Sequence, residues 1–256
     1  MKSPPKCHPL YLGFSSPPAP VYPDAVTAVA WNEDFPVDEV EGIVYIACRF
    51  CPELQRWARQ LRALHRKDKS FETDHSISRI SASPISLNAL RKIGTMVEFY
   101  GDEGQQTDAI KGDCAMMSTR MIAVVLERWE GMPVGFVSFD LKWSVWASSG
   151  VYSAADLEVE LDQAWIAPAF RGRRWGELAA IAIAFATRRQ VDQLRASTPW
   201  PARYSCPLNV TVGADIYSKS GEALLGCCAE YVSFQLELPR RRARFAVAGV
   251  EFNPRW

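Results

Sequence analysis

Two rhythms divide the chain's apolar positions. Short alternating or continuous apolar runs, the mark of strands, occupy 41–50 (EGIVYIACRF), 120–129 (RMIAVVLERW), 133–143 (PVGFVSFDLKW), 157–166 and 208–214 (LNVTVGA). Helical spacing appears at 51–67, where Leu54, Trp57, Leu61 and Leu64 form one stripe and Pro52 sits in the first turn. The pattern also predicts helices at 84–100, 176–190 and 218–231. Glu130-Gly131-Met132 reads as a hairpin turn between two of the strands. The segments 232–238 and 243–252 read as a closing hairpin around Pro239-Arg240-Arg241-Arg242. Segments 69–83, 101–113, 148–155 and 190–207 read as loops or turns. The resulting order is strand, two helices, three strands, helix, strand, helix, two strands. This is a mixed α/β (α+β) arrangement, with no internal repeat.

The most informative stretch is 157–190, LEVELDQAWIAPAFRGRRWGELAAIAIAFATRRQ. Glu158, Glu160 and Asp162 stand at every second position, so one strand face carries three carboxylates while Leu157, Val159 and Leu161 face the other way. Pro168 cannot donate to a ladder and ends the strand. The loop then brings Arg171, Arg173 and Arg174, with Gly172 and Gly176 allowing close approach to the backbone. A helix follows whose apolar face is built from small residues (Ala179, Ala182, Ala186) beside Leu178, Ile181 and Phe185. A helix start has N–H groups without intrahelical partners and the positive end of its dipole. Strand, basic loop and helix start together point to a phosphorylated ligand.

Composition narrows the setting. The chain has 256 residues, an apolar fraction of 48% and nine tryptophans, ample for a sizeable core. Its 29 basic and 29 acidic residues cancel, so no global field draws it to nucleic acid. No apolar run approaches the ~18 residues of a membrane span. The start, MKSPPKCHPLYLGFSSPPAP, lacks the apolar core of a signal peptide. An odd count of seven cysteines fits free thiols in a reducing cytoplasm. Residues 1–24, with seven prolines, read as an extended arm, and 25–256 as a single domain. Cys48 and Cys51 supply two ligands where zinc needs four, so no metal is expected. The arginines near 240–244 read as a solvated turn rather than a nucleic-acid patch.

Arg171-Gly172-Arg173-Arg174-Trp175-Gly176 resembles the pyrophosphate loop of the GNAT superfamily of N-acetyltransferases, Q/R-x-x-G-x-G/A. Ala164-Trp165-Ile166-Ala167-Pro168 resembles the strand end that precedes it. Arg171 and Gly176 match, whereas Arg174 stands at the central glycine's position. Its side chain either swings outward or adds a contact to the phosphates. The element order over 40–252 also follows that of the family.

The resemblance implies a GNAT-like fold, a mostly antiparallel central sheet flanked by helices. It implies acetyl-CoA as acyl donor, held by Arg171, Gly172, Arg173, Arg174, Trp175 and Gly176, with its pantetheine arm beside the strand end at Trp165 and Ile166. The backbone amide at Ile166 would polarise the thioester carbonyl. An amine acceptor would attack directly in a ternary complex. Glu160, six residues before Ile166, is the implied base, and repulsion among the three carboxylates would raise a pKa toward a useful range. The implied acid is a tyrosine. The expected spacing falls near 226–228, and Tyr231 lies one turn later. The alternative is a catalytically inactive GNAT-like module binding acyl-CoA or a protein partner. The acceptor and any homodimer are left open.

Overall fold

The structure is a computed structural model, which describes residues 42–47, 52–67, 94–100, 113–127, 131–148, 151–197, 206–216, 218–237 and 245–255. The Pro-rich arm at 1–24, the Cys48–Cys51 pair and the arginines at 240–244 lie outside the described residues. The described elements, in order, are β1 (Gly42–Ala47), α1 (Pro52–Lys67), β2 (Gly94–Tyr100), β3 (Asp113–Glu127), β4 (Pro133–Ser148) and β5 (Val151–Ile166). A 3-10 turn (Pro168–Phe170), α2 (Trp175–Ser197), β6 (Cys206–Asp215), α3 (Lys219–Glu237) and β7 (Phe245–Arg255) follow.

These strands form a seven-stranded sheet in the order β1-β3-β4-β5-β6-β7, with β2 also paired to β3. β1 and β2 share one edge of β3: β1 pairs with its C-terminal half and β2 with its N-terminal half. Pairing is antiparallel from β1 to β5 and parallel from β5 through β6 to β7. The switch follows from the connections. The expected hairpin joins β3 to β4, with Gly131 at φ 58° and its N–H on the Glu127 carbonyl at 2.8 Å. Beyond β5, α2 and α3 each cross over between parallel neighbours.

The two sheet faces are covered differently. One packs Met121, Val137, Phe139, Leu141, Trp143, Leu157, Val159, Val210 and Val212 against α2 and α3. Helix α2 is buried almost continuously from Leu178 to Ala184, and its alanines let it lie close to the strands. The other face packs Ile122, Val124, Leu126, Phe136 and Trp165 against Leu54, Trp57, Ala58 and Leu61 of α1. Burying each of these large side chains contributes roughly 1.5–3 kcal/mol. Leu54, Trp57 and Leu61 are the stripe expected from helical spacing.

Two expected elements change type, and two expected loops are shorter than their sequence suggests, since 151–155 belong to β5 and 191–197 to α2. Residues 94–100, expected within a helix, are strand β2. The run GTMVEFY is rich in β-formers, and pairing fills the edge of β3. The part at 84–93 lies outside the described residues. Residues 232–237, expected as a strand, belong to α3. Their local alternation loses to a helical stripe, because Leu225, Cys228, Val232, Gln235 and Leu236 are buried at spacings of three and four. The final strand therefore has no antiparallel hairpin partner in 232–238. It runs parallel to β6 instead.

Candidate functional site

β5 carries the site, and a bulge shapes it. Asp162 and Gln163 together oppose Ser138, since the register with β4 shifts between Ser138/Phe139. The extra residue changes the parity of the strand. Leu161 faces α2 and α3, yet Trp165, an even number of positions later, faces α1. β6 stops pairing with β5 at Leu161↔Ala214, so 162–166 continue along β4 alone. The Ala167 N–H bonds the Val134 carbonyl at 2.8 Å, and Ile166 lies opposite Gly135. Antiparallel alternation therefore turns the N–H and C=O of Ile166 away from β4, toward the side β6 has left.

A cleft of about 300 Å³ opens where the two strands part. Its walls come from Glu160–Ala164 of β5, Ala214–Ile216 at the end of β6, Arg120, Asp140, and the start of α3 at Ser218, Gly221 and Leu224. Ser218 caps that helix, its hydroxyl accepting the Gly221 N–H at 3.1 Å.

The expected carboxylate face exists, but it is interleaved with cations. Arg120 grips Asp140 through two bonds of 2.9 and 2.6 Å. Lys142 bonds Oε2 of Glu160 and stands 3.4 Å from Glu158. Arg255 bonds Oε1 of Glu160 at 2.5 Å and Asp215 at 2.7 Å. Burial pushes the Glu160 carboxyl up, but the hydrogen bonds from Lys142 and Arg255 outweigh it and hold it below the usual range. The expected rise by mutual repulsion is thus reversed at Glu160. Lys142 and Arg255 were missed in the sequence. Lys142 carried a signal, because it falls on the polar positions of 133–143, opposite Glu158. Arg255 carried none, since its approach depends on the parallel pairing of β7.

The basic loop is an ordered turn ahead of α2. Arg171 donates to the Ile166 carbonyl at 2.9 Å, and Arg173 lies 5.9 Å from the Phe170 ring centre. Gly172 and Arg174 both have positive φ, 76° and 58°. Arg174 thus takes a left-handed conformation at the position where the family pattern has glycine. Its side chain turns back on the first helical turn and grips Glu177 through bonds of 2.5 and 2.7 Å. That pairing holds the Glu177 carboxyl down, first through the Arg174 hydrogen bond. Trp175 is buried beside Phe170, and among the described residues no hydrogen-bond partner meets its Nε1. Trp165 is buried against α1, 5.6 Å from the His65 ring. Gly176 faces Leu224 of α3, whose Cδ1 would lie 3.8 Å from a Cβ placed there.

Tyr231 does not join these residues at the cleft. It donates to Glu177 at 2.7 Å, between α2 and α3, and is absent from the cleft walls. Burial, with the Glu177 carboxylate adding, pushes its hydroxyl well up, which opposes the role of a proton donor near neutrality. Among the described residues, no cluster of three His, Cys, Asp or Glu is placed to hold a metal ion. No described helix is long and apolar enough to cross a membrane.

The strained Arg174 gives a sharp test. Arg174→Gly removes a left-handed cost of roughly 1–2 kcal/mol together with an exposed ion pair worth about 0–1 kcal/mol. Its unfolding free energy should stay within about 1 kcal/mol of the parent. Arg174→Ala keeps the strain and loses the pair, so it should be the less stable variant. Equal stability of the two in denaturant titrations would show that the backbone angle carries no cost.

Comparison with protein-family models, with curated proteins and with solved structures finds no match for this chain.

Proposed function

We propose that the protein is an acetyl-CoA-dependent N-acyltransferase of GNAT type, moving an acetyl group to an amine by direct attack. One observation carries the reading. Parallel β5 and β6 part beside a basic loop and helix start, and the Ile166 N–H is directed to the side of the parting. The donor would be held by Arg171–Gly176 and the first turn of α2, where N–H groups precede the helical ladder. Bound there, it supplies an activated acyl group as a thioester. The Ile166 N–H would polarise the carbonyl, and the cleft would admit the acceptor from the carboxylate side. Gly172 and the unpartnered Nε1 of buried Trp175 are consistent with a ligand at this turn. Arg174 is committed to Glu177, so Arg171 and Arg173 are the arginines this reading gives to the phosphates. Glu160 is ionised, as a base must be. With a cation on each oxygen, however, it is weaker than a carboxylate bearing none.

Calorimetry or native mass spectrometry with CoA tests the donor site. Saturable binding that weakens severalfold in Arg171→Ala is expected, together with thiol release from acetyl-CoA on a panel of amines. No binding at millimolar CoA would sink the reading. The position of Tyr231 away from the cleft favours the second reading, a GNAT-like module without turnover. CoA binding with no thiol release on any amine would select it.

A further inference from the structure

We propose that Asp162 is the group through which this cleft takes an alkylammonium ligand. The inference rests on the reading of the cleft as the acceptor side of an amine acyltransferase, and it names the residue that selects a cationic acceptor.

The charges in the wall decide this. Arg120 and Asp140 satisfy each other through a two-bond grip. Both oxygens of Glu160 are taken, one by Lys142 and one by Arg255. Asp215 shares Arg255. Asp162 is different. Its Oδ2 accepts a hydroxyl from Ser138 at 3.3 Å, a long bond from a neutral donor. No cation among the described residues pairs with it. Arg120, already gripped by Asp140, lies near enough for its charge to reach Asp162, but no ion pair joins them, so Asp162 is a carboxylate of the cleft wall whose charge is only partly compensated.

The bulge explains its position. In a regular strand Asp162 would sit in register with one residue of β4. Here Asp162 and Gln163 share Ser138, just beyond Leu161↔Ala214, where β6 has left β5. The carboxylate therefore stands exposed at the mouth of the parting rather than in the Lys142–Arg255 network. A concave wall bordered by protein concentrates the field of such a charge. An ammonium group supplies the missing charge and up to three donors, while its alkyl chain lies along Leu161, Ala164 and Leu224. A carboxylate or phosphate ligand would meet a repulsive wall instead.

The test uses the full chain, with n-butylammonium as probe and n-butanol as its uncharged counterpart, titrated by NMR without any acyl-CoA. Asp162→Asn keeps the shape of the side chain and an oxygen for Ser138. Asp156→Asn removes a carboxylate of the same strand outside the cleft walls. Asp162→Asn should weaken butylammonium binding roughly fivefold and leave butanol unchanged, and Asp156→Asn should change neither. Equal losses in both variants, or butylammonium binding that is absent or indifferent to Asp162, would overturn the proposal. Should CoA fail to bind while the ammonium effect of Asp162→Asn persists, the acyltransferase reading falls and the cation site stands. CoA binding without the ammonium effect gives the reverse.

Discussion

Gly135→Ala is expected to cost about 3 kcal/mol, near the upper end of what overpacking does. A Cβ at this position would stand 2.3 Å from Cδ1 of Ile166, 2.7 Å from the Trp165 carbonyl oxygen and 3.1 Å from the Ile166 Cα. The first contact is with the end of a side chain and can be relieved by rotation. The other two are backbone, so β4 and β5 must move apart or slide. They cannot do so freely, because Trp165 is wedged against α1 and Ile166 packs toward α2 and α3. For a chain of this size the loss corresponds to a fall of roughly 6–12 °C in melting temperature. The displaced segment is also the one that directs the Ile166 N–H. Under the proposed function, acetyl-CoA turnover should therefore fall further than the folded fraction explains. Adding Ile166→Val, which deletes Cδ1, should recover part of the stability but not all of it. Full recovery would mean that the backbone contacts carry no cost, and an unchanged melting temperature in Gly135→Ala would show that the strand ends are free to part.

Why Gly135 matters was not legible in the sequence, and the reason is physical. Sequence patterning reports which face a residue occupies within its own strand. It does not report register, and Gly135 is constrained by what lies opposite it. The same limit hid the Asp162 bulge, which exists only as a mismatch with Ser138. Where local chemistry decides, the reading held. The strand of carboxylates runs to Ile166, Pro168 opens a 3-10 turn, and the helix begins directly after the arginines. Where local and tertiary preferences compete, it failed. VSFQLE alternates like a strand, yet Val232, Gln235 and Leu236 complete the buried stripe of α3. That error had a consequence at the site. With 232–238 read as the partner of the last strand, Arg255 had no reason to meet Glu160. Parallel pairing of β7 with β6 sets Arg255 beside Asp215 and within reach of Glu160. Tyr231 shows the converse case. Its spacing along the helix approached the expected place, but the face it occupies turns to Glu177 rather than to the cleft.

Glu160→Gln should destabilise the protein by about 1–2 kcal/mol near neutrality. Glu160 ties β5 to both of its neighbourhoods, to Lys142 on β4 and to Arg255 on β7. A glutamine oxygen can accept from one of these cations but offers no charge to either, and its amide donors face the other. The figure is held below that of a buried ion pair because the Lys142 and Arg255 side chains are 36% and 41% exposed, so water and salt screen them. The effect must depend on pH in a definite direction. The folded protein holds the Glu160 carboxyl below its ordinary value of 4.5. Its contribution is therefore complete above that value and is lost as pH falls through the lower, folded one. Denaturant titrations at pH 7, 5, 4 and 3 should show the gap between parent and variant at its widest at pH 7 and closing toward pH 3. Added salt should narrow it at neutral pH. A gap that stays constant across the series would assign the loss to packing and remove the charge network as the force that closes β7 onto β5. A variant more stable than the parent would go further. It would mean that desolvation of Glu160 exceeds what its two cations return, leaving the network a feature of the cleft's chemistry rather than of its stability.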